Sequence, residues 1–368
     1  MAFDALADPT FWLAALAGGA FGAALGALPS LALTGLLVVA SESLTALAGS
    51  LSDAVGGSVP GQVGLGVTGT VALGPVFGPH VAFAGGAAAT AYASRKGYVD
   101  TGFRYAEAKN IGHALGTRAD VLVVGALFGA LGMAVRQLSD GLGLPFDPVF
   151  FAVLVSAFCH RLFLGFPLVG EVRGDGVLDM TPFERGVRRQ PPRGSDAVTA
   201  GGEGSDDVDH TPLQRYAVEP WLPHQYEWAN VATIGLAAGL LGGYVAVVTG
   251  SAFLAFGLSL VALAFLACGV EQVPVTYHMT LPASTAAVAV TSSGSAVLAG
   301  AGPTLAILVG GVFGLLSGLV GELSQRVFYA HGDTHWDPAA AGVVFGTLLV
   351  ALCAIVGLFP TAVWVPTF

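Results

Sequence analysis

The apolar positions of this chain gather into runs long enough to cross a bilayer, which takes about 20 residues per helical span. Ten such runs are predicted, at roughly 10–28, 30–49, 78–95, 119–138 and 148–166, then 229–248, 250–269, 277–299, 303–326 and 338–359. Pro29 and Ser30 split the first pair, which predicts a tight helical hairpin there. Polar positions concentrate between the fifth and sixth runs, over 167–228. That stretch includes "RRQPPRGSDAVTAGGEGSDDVDH", too poor in apolar residues to bury a core, and is read as a partly disordered loop. Two echoes flank it, "TPFER" at 181–185 and "TPLQR" at 211–215, and both read as short helix starts on the membrane surface. A second polar loop, 96–118, predicts a short interfacial helix.

Composition agrees with the pattern. Of 368 residues, 54% are hydrophobic and 10% charged, against about 25% charged in soluble domains. Mean hydropathy is +0.74. The expected fold class is an all-α polytopic membrane protein, multi-pass in the cell membrane and surrounded by lipid. The net charge of −10, with lysine only at 96 and 109, resembles a halophile-like composition. No basic patch suits nucleic acid, so no nucleic-acid partner is expected. The N-terminus lacks a positive leader, so no cleaved signal peptide is expected.

Charge also orients the runs. With ten spans, every lysine and arginine except Arg136 falls on the face that carries loops 96–118, 167–228 and 327–337. Positive residues favour the cytoplasm. Loop 167–228 is therefore expected inside, where it offers a site for a cytoplasmic partner, and the termini, 1–9 and 360–368, outside.

The spans also match pairwise. Gly18, Gly22 and Gly26 parallel Gly235, Gly239 and Gly243. Phe128, Gly129, Gln137 and Ser139 parallel Phe313, Gly314, Glu322 and Ser324, and Asp147-Pro148 parallels Asp337-Pro338. In the third position of each half lie "FGPHVAFAGGAAATAYA" with His80 and "VTYHMTLPASTAAVAVT" with His278. Two repeats are expected, 10–166 and 229–359. Each has five spans, and an odd number inverts the second against the first. Inverted repeats are common in secondary transporters, and the five-plus-five count is similar to several transporter classes. No family motif is present from which functional residues carry over.

Candidate chemistry is sought among polar groups in apolar surroundings, because an ionisable group inside a membrane is a functional candidate by default. Residues 62–77, rich in glycine, predict a re-entrant or broken-helix segment before Gly78 and His80. His80 lies about 22 Å of helix from Arg95, below the outer surface, at a helix start suited to an anion or carboxylate. His278, Ser284, Thr285 and Ser292 offer a polar lining for a solute or Na+, with Pro282 placed to break their helix. Glu322 is the buried carboxylate candidate for coupling to H+, with Arg326 its alternative ion-pair partner. "HGDTHWDP" sets His331, Asp333 and His335 in metal-ligand types, with Asp337 as a helix cap. His160 and Arg161 read as snorkelling to headgroups, and Glu42 as solvated.

Phosphate-binding loops, nucleophile elbows and zinc-protease motifs are absent, so no cofactor is expected. The leading expectation is a permease, not an enzyme, moving a small solute or ion by alternating access between the repeats; self-association is compatible with it. The alternatives are a membrane scaffold or assembly subunit and, less favoured, a metal-dependent intramembrane enzyme.

Overall fold

A computed structural model of the chain describes residues 6–55, 66–101, 107–189 and 214–368. The regular elements among them are helical, with one isolated antiparallel bridge between Arg188 and Tyr216. Each of the ten apolar runs contains a helix. These are α1 (Pro9–Leu25), α2 (Ala27–Val55), α3 (Ala84–Arg95, entered through the π-turn Pro79–Phe83), α4 (Ala119–Gly141) and α5 (Pro148–Phe163). Then come α6 (Trp228–Thr249), α7 (Leu254–Val261, continued by Leu263–Ala267), α8 (Tyr277–Thr291), α9 (Pro303–Ser324, continued by the π-turn Gln325–Tyr329) and α10 (Pro338–Ile355). Five are long and apolar enough to cross a membrane: α2 over Ala27–Gly49, α4, α6, α9 with its π-turn, and α10. The chain is thus a helical protein of membrane character.

Local chemistry sets the helix starts. Asp8, Asp147 and Asp337 each accept a backbone N–H of the first turn, from Thr10 (2.8 Å), Phe150 (2.7 Å) and Ala339 (3.1 Å), with proline at the next position. Proline there loses no hydrogen bond and is pre-set for the helix. The first hairpin turns at Gly26 rather than at Pro29-Ser30. Gly26 sits at φ +93°, and Pro29 lies within the opening turn of α2, where a missing N–H costs nothing. Pro282 does not break α8; its ring packs where Gly346 leaves room for it. α8 ends at Thr291, short of the expected 299.

The two groups of five helices pack alike. α1 lies against α3 and α4, and α6 against α8 and α9; α4 then meets α5 as α9 meets α10. Glycine makes the closest crossings. A Cβ on Gly19 would stand 2.2 Å from the Gly125 carbonyl oxygen, and one on Gly239 would stand 2.6 Å from that of Gly310. The glycine of α1 that matches Gly239 is therefore Gly19, with Ala15 and Ala23 beside it, not the Gly18-Gly22-Gly26 series. Gly18 and Gly22 instead face the backbone of Val76 and Ala82. Between the groups, α2 packs on α7 and α5 on α10. At the first crossing Gly35 faces Gly257 and Leu260, and Gly257 faces Val38. One apolar core, including Leu31, Phe83, Phe150, Phe256, Tyr277 and Val343, runs through both groups.

Hydrogen bonds sort the connections into two sets. In one, Leu28 N reaches Ile111 O (3.0 Å), Glu219 N reaches Ala330 O (3.0 Å) and His335 N reaches Ala108 O (3.0 Å). In the other, Thr68 and Ser251 both donate to Glu42, and Val297 N reaches Gly357 O (3.1 Å). Of the expected surface elements, "TPFER" forms one helical turn, Thr181–Glu184. Gln214 and Arg215 of "TPLQR" are not helical, and loop 96–118 holds only the 3-10 turn Glu107–Lys109 among its described residues. The polar stretch 190–213, residues 211–213 of "TPLQR" and residues 62–65 of the broken segment lie outside the described residues.

Candidate functional site

The broken segment appears as a π-turn at Thr68–Ala72, a bend and turn over 73–77, and the π-turn that leads into α3. Thr34 donates to the Phe77 carbonyl (2.6 Å). Gly78 is required by close packing, since a Cβ there would lie 2.4 Å from the His80 ring. His80 itself is fully buried, and neither ring nitrogen has a hydrogen-bond partner among the described residues. It lines neither of the two cavities described below.

The first cavity is a crevice in the second group of helices. His278, Glu322, Gln325, Gln225 and Trp221 line it, together with Gly318 and Gly321. Glu322 is anchored by Arg326 Nε (2.6 Å) and Gln325 Nε2 (3.1 Å). Arg326 in turn donates to the carbonyls of Leu178 (2.9 Å) and Tyr226 (3.0 Å). His278 Nδ1 is buried without a partner among the described residues. This crevice brings together two of the expected residues, His278 and Glu322, and leaves out the expected hydroxyls. Ser284 donates to Gly242 O (3.1 Å), Thr285 to Leu281 O (2.8 Å) and Ser292 to Val288 O (2.9 Å). These bonds to carbonyls are the usual use of hydroxyls in packed apolar helices.

The second cavity lies between the two groups of helices. Phe83, Ala84 and Ala87 of the α3 region, Val153, Ser156, Ala157 and His160 of α5, and His335 and Asp337 before α10 enclose it. His335 is 2% exposed, and its ring packs edge-on against Phe83, Trp221 and Tyr329. Burial first, then the nearby His160, Arg161 and Lys109, hold the His335 imidazole well below its ordinary pKa. Asp337 accepts Tyr277 Oη at 2.7 and 2.9 Å. Neither His160 nor Arg161 snorkels: both are buried. Arg161 donates to Thr334 Oγ1 (2.9 Å) and to the carbonyls of Phe328 (2.7 Å), Thr334 (3.2 Å) and Leu168. Carbonyl dipoles thus replace the lipid phosphate as partners of the guanidinium.

The three metal-ligand types of "HGDTHWDP" diverge. His331 pairs with Val177 O (3.1 Å) and Arg173 N (3.3 Å), Asp333 pairs with Arg189, and His335 points into the second cavity. Among the described residues no group of three or more His, Cys, Asp or Glu is arranged to hold a metal ion.

A family model covers residues 1–368. The chain belongs to DUF7973, a family of unknown function. No curated protein and no solved structure was found to match.

Two polar clusters in this DUF7973 member escaped the sequence reading. Lys109 is buried beside Glu219 (3.2 Å) and over the Tyr329 ring (4.3 Å), and Glu219 also takes Arg215 (2.7 Å). Burial pushes the Lys109 ammonium down to about 8, with Glu219 opposing. Burial raises Glu219, but Lys109 and Arg215 more than offset it and leave the carboxyl below its usual range. Glu42, expected to be solvated, is instead partly buried and accepts Thr68 Oγ1 and Ser251 Oγ, each at 2.6 Å. Sequence spacing gives no sign of either cluster, because each joins segments more than a hundred residues apart.

Proposed function

We propose that this DUF7973 chain is a ten-span, secondary-transporter-like permease. Its two five-helix repeats run inverted through the cell membrane, and a small polar solute or ion passes between them by alternating access. The observation that carries this reading is the second cavity. It lies where the two groups of helices meet and is lined by ionisable side chains sealed from solvent. Such groups are expensive to bury in a membrane and mark pathways. The matched packing of the two groups supports the duplication, as do the crossings of α2 on α7 and α5 on α10. The glycine crossings of α1 on α4 and of α6 on α9 tie each group into one body that can rock against the other. The Lys109–Glu219–Arg215 cluster closes the side assigned to the cytoplasm, and Glu42 with Thr68 and Ser251 closes the other, as an occluded state requires. Glu322, fixed by Arg326, acts in this reading as a structural partner of the crevice at His278.

Alternating access has a direct test. Cysteines at Glu42 and Ser251, in a chain with its three native cysteines replaced, are joined by a short reducible bis-thiosulfonate. In proteoliposomes the unlinked protein takes up at least one member of a panel of small cations, anions and neutral solutes. The linked protein stops, and reductant restores it. Leakage at the lipid background across the whole panel, or undiminished uptake by the linked protein, sinks the permease and favours a scaffold.

Topology is tested separately. Leu142→Cys and Val187→Cys, both at exposed positions, are expected to react with a membrane-impermeant thiol reagent from opposite sides, Leu142→Cys from outside. Labelling from the same side contradicts the inverted arrangement.

A further inference from the structure

Several cations on the side assigned to the cytoplasm are matched by acids. Lys109 and Arg215 share Glu219, Arg189 takes Asp333, Arg173 takes Glu171 and Arg326 takes Glu322. Arg95 and Lys96 differ. They end α3, are exposed, and have no carboxylate partner among the described residues.

Their neighbours hold them in one patch. Arg95 Nη2 donates to the Gly165 carbonyl just past α5, and the guanidinium lies over the Phe166 ring (4.1 Å). Lys96 Nζ lies over the Tyr92 ring (5.6 Å). Tyr92 Oη donates to Asp120 (3.3 Å), at the start of α4, and Asp120 stands 3.5 Å from Arg118. Arg118 is itself stacked on the Tyr98 ring (3.6 Å). The ends of α3 and α5 and the start of α4 thus gather Arg95, Lys96 and Arg118. Asp120 is already engaged by Tyr92 and Arg118, and with Asp100 counted as well the cations still outnumber the acids, three to two.

The patch adjoins an apolar wall. Leu162 and Phe163, at the end of α5, are 67% and 70% exposed. On a helix in lipid such side chains face acyl chains. The cations therefore stand where the apolar surface gives out, at headgroup level, among rings of the kind that gather at a membrane interface. Guanidinium and ammonium groups suit phosphate, and a guanidinium can bind it with two parallel bonds. The wall below suits the acyl chains that a soluble anion lacks.

We propose that Arg95, Lys96 and Arg118 form a binding site for the headgroup phosphate of an anionic phospholipid, whose acyl chains lie along Leu162 and Phe163. The lipid then clamps the end of α3 to the end of α5. The headgroup contact expected of His160 and Arg161 falls to this patch instead. The assignment rests on the membrane character of the chain and not on the permease reading, so a failure of transport leaves it standing.

Native mass spectrometry of the detergent-purified full-length chain tests it, with dioleoyl phosphatidylglycerol titrated against dioleoyl phosphatidylcholine. The two share acyl chains and phosphate, but choline neutralises the second. Saturable retention of phosphatidylglycerol is expected, well above that of phosphatidylcholine. Each cation removed should weaken it about fivefold, the usual worth of a basic residue at an anionic membrane surface. Lys96→Gln tests this with little risk to the fold, because the ammonium meets only the Tyr92 ring among the described residues. Arg95→Gln tests it more severely. Arg185→Gln is the control, an exposed cation of the same side outside the patch, and should leave retention unchanged. Equal retention of the two lipids, undiminished phosphatidylglycerol binding in a folded Lys96→Gln protein, or an equal loss in Arg185→Gln overturns the proposal. Glycerol 1-phosphate supplies the headgroup without the chains. Failure to displace the lipid at equal concentration supports the site, and displacement there makes it a site for soluble phosphate and overturns the lipid assignment.

Discussion

Gly314→Ala is expected to lower the melting temperature of the detergent-solubilised protein steeply, or to abolish recovery of folded material. The added methyl would lie 2.5 Å from both the Gly235 carbonyl oxygen and the Gly239 Cα. Both are backbone atoms of α6, so relief requires the two helices to separate. Overpacking of a core costs about 1–3 kcal/mol and sometimes more. A rigid backbone obstacle places this substitution at the upper end, because separation also loosens the neighbouring contacts of Gly239 with Gly310. Gly311→Ala is the control. Its methyl would meet the ends of Leu240 and Leu236, at 2.9 and 3.1 Å, and leucine termini move aside. A small effect there with a large one at Gly314 assigns the loss to the helix crossing. Equal effects would mean that α6 and α9 are not held at this distance.

Glu219→Gln should cost about 3–5 kcal/mol, the usual penalty for stripping a buried ion cluster of one partner. The carboxylate stands between Lys109 and Arg215, and with it gone two buried cations face each other. The expected pH response follows from Lys109. Its pKa falls from 10.5 when free to about 8 in the folded chain, so the unfolded chain binds more protons between those values. Lys109 then makes stability rise with pH across that window. In Glu219→Gln the folded value drops further, because the raising influence of the carboxylate is lost, and the rise begins at lower pH. Thermal melts of both proteins from pH 6 to 10 check this. Parallel curves would show that Lys109 does not feel Glu219.

Much of the helical pattern could be read from the residues. Continuous apolar runs are what a helix in lipid demands, and Asp147-Pro148 and Asp337-Pro338 mark starts that need only local chemistry. Register and partnership were harder. Gly18 and Gly22 share α1 with Gly19, and spacing alone does not say which face meets α4. That choice is made by the partner helix, a hundred residues away. Pro29 and Pro282 look like breaks because a lone helix dislikes proline, yet one falls in an opening turn and the other is received by Gly346. His160 and Arg161 resemble a membrane-surface pair because their partners, Thr334 and the carbonyls of Phe328 and Leu168, carry no signature of their own. The candidate site moved for the same reason. His80 was legible as a buried imidazole, but the space beside an imidazole depends on packing, and packing opened it at His278 and at His335.

The crossing of α2 on α7 carries one more implication. Gly35 meets Gly257, and each stands where the other's neighbours are bulky. Under the proposed duplication this is a patch docking onto its own counterpart, as the two faces of a homodimer do. Such docking needs no covalent tether. Joining two copies in one polypeptide instead fixes their ratio at one to one and frees them to specialise. Here the first copy keeps a sealed imidazole at His80, while the second has opened a crevice around His278. A symmetric pair of identical chains has no means of making that division of labour.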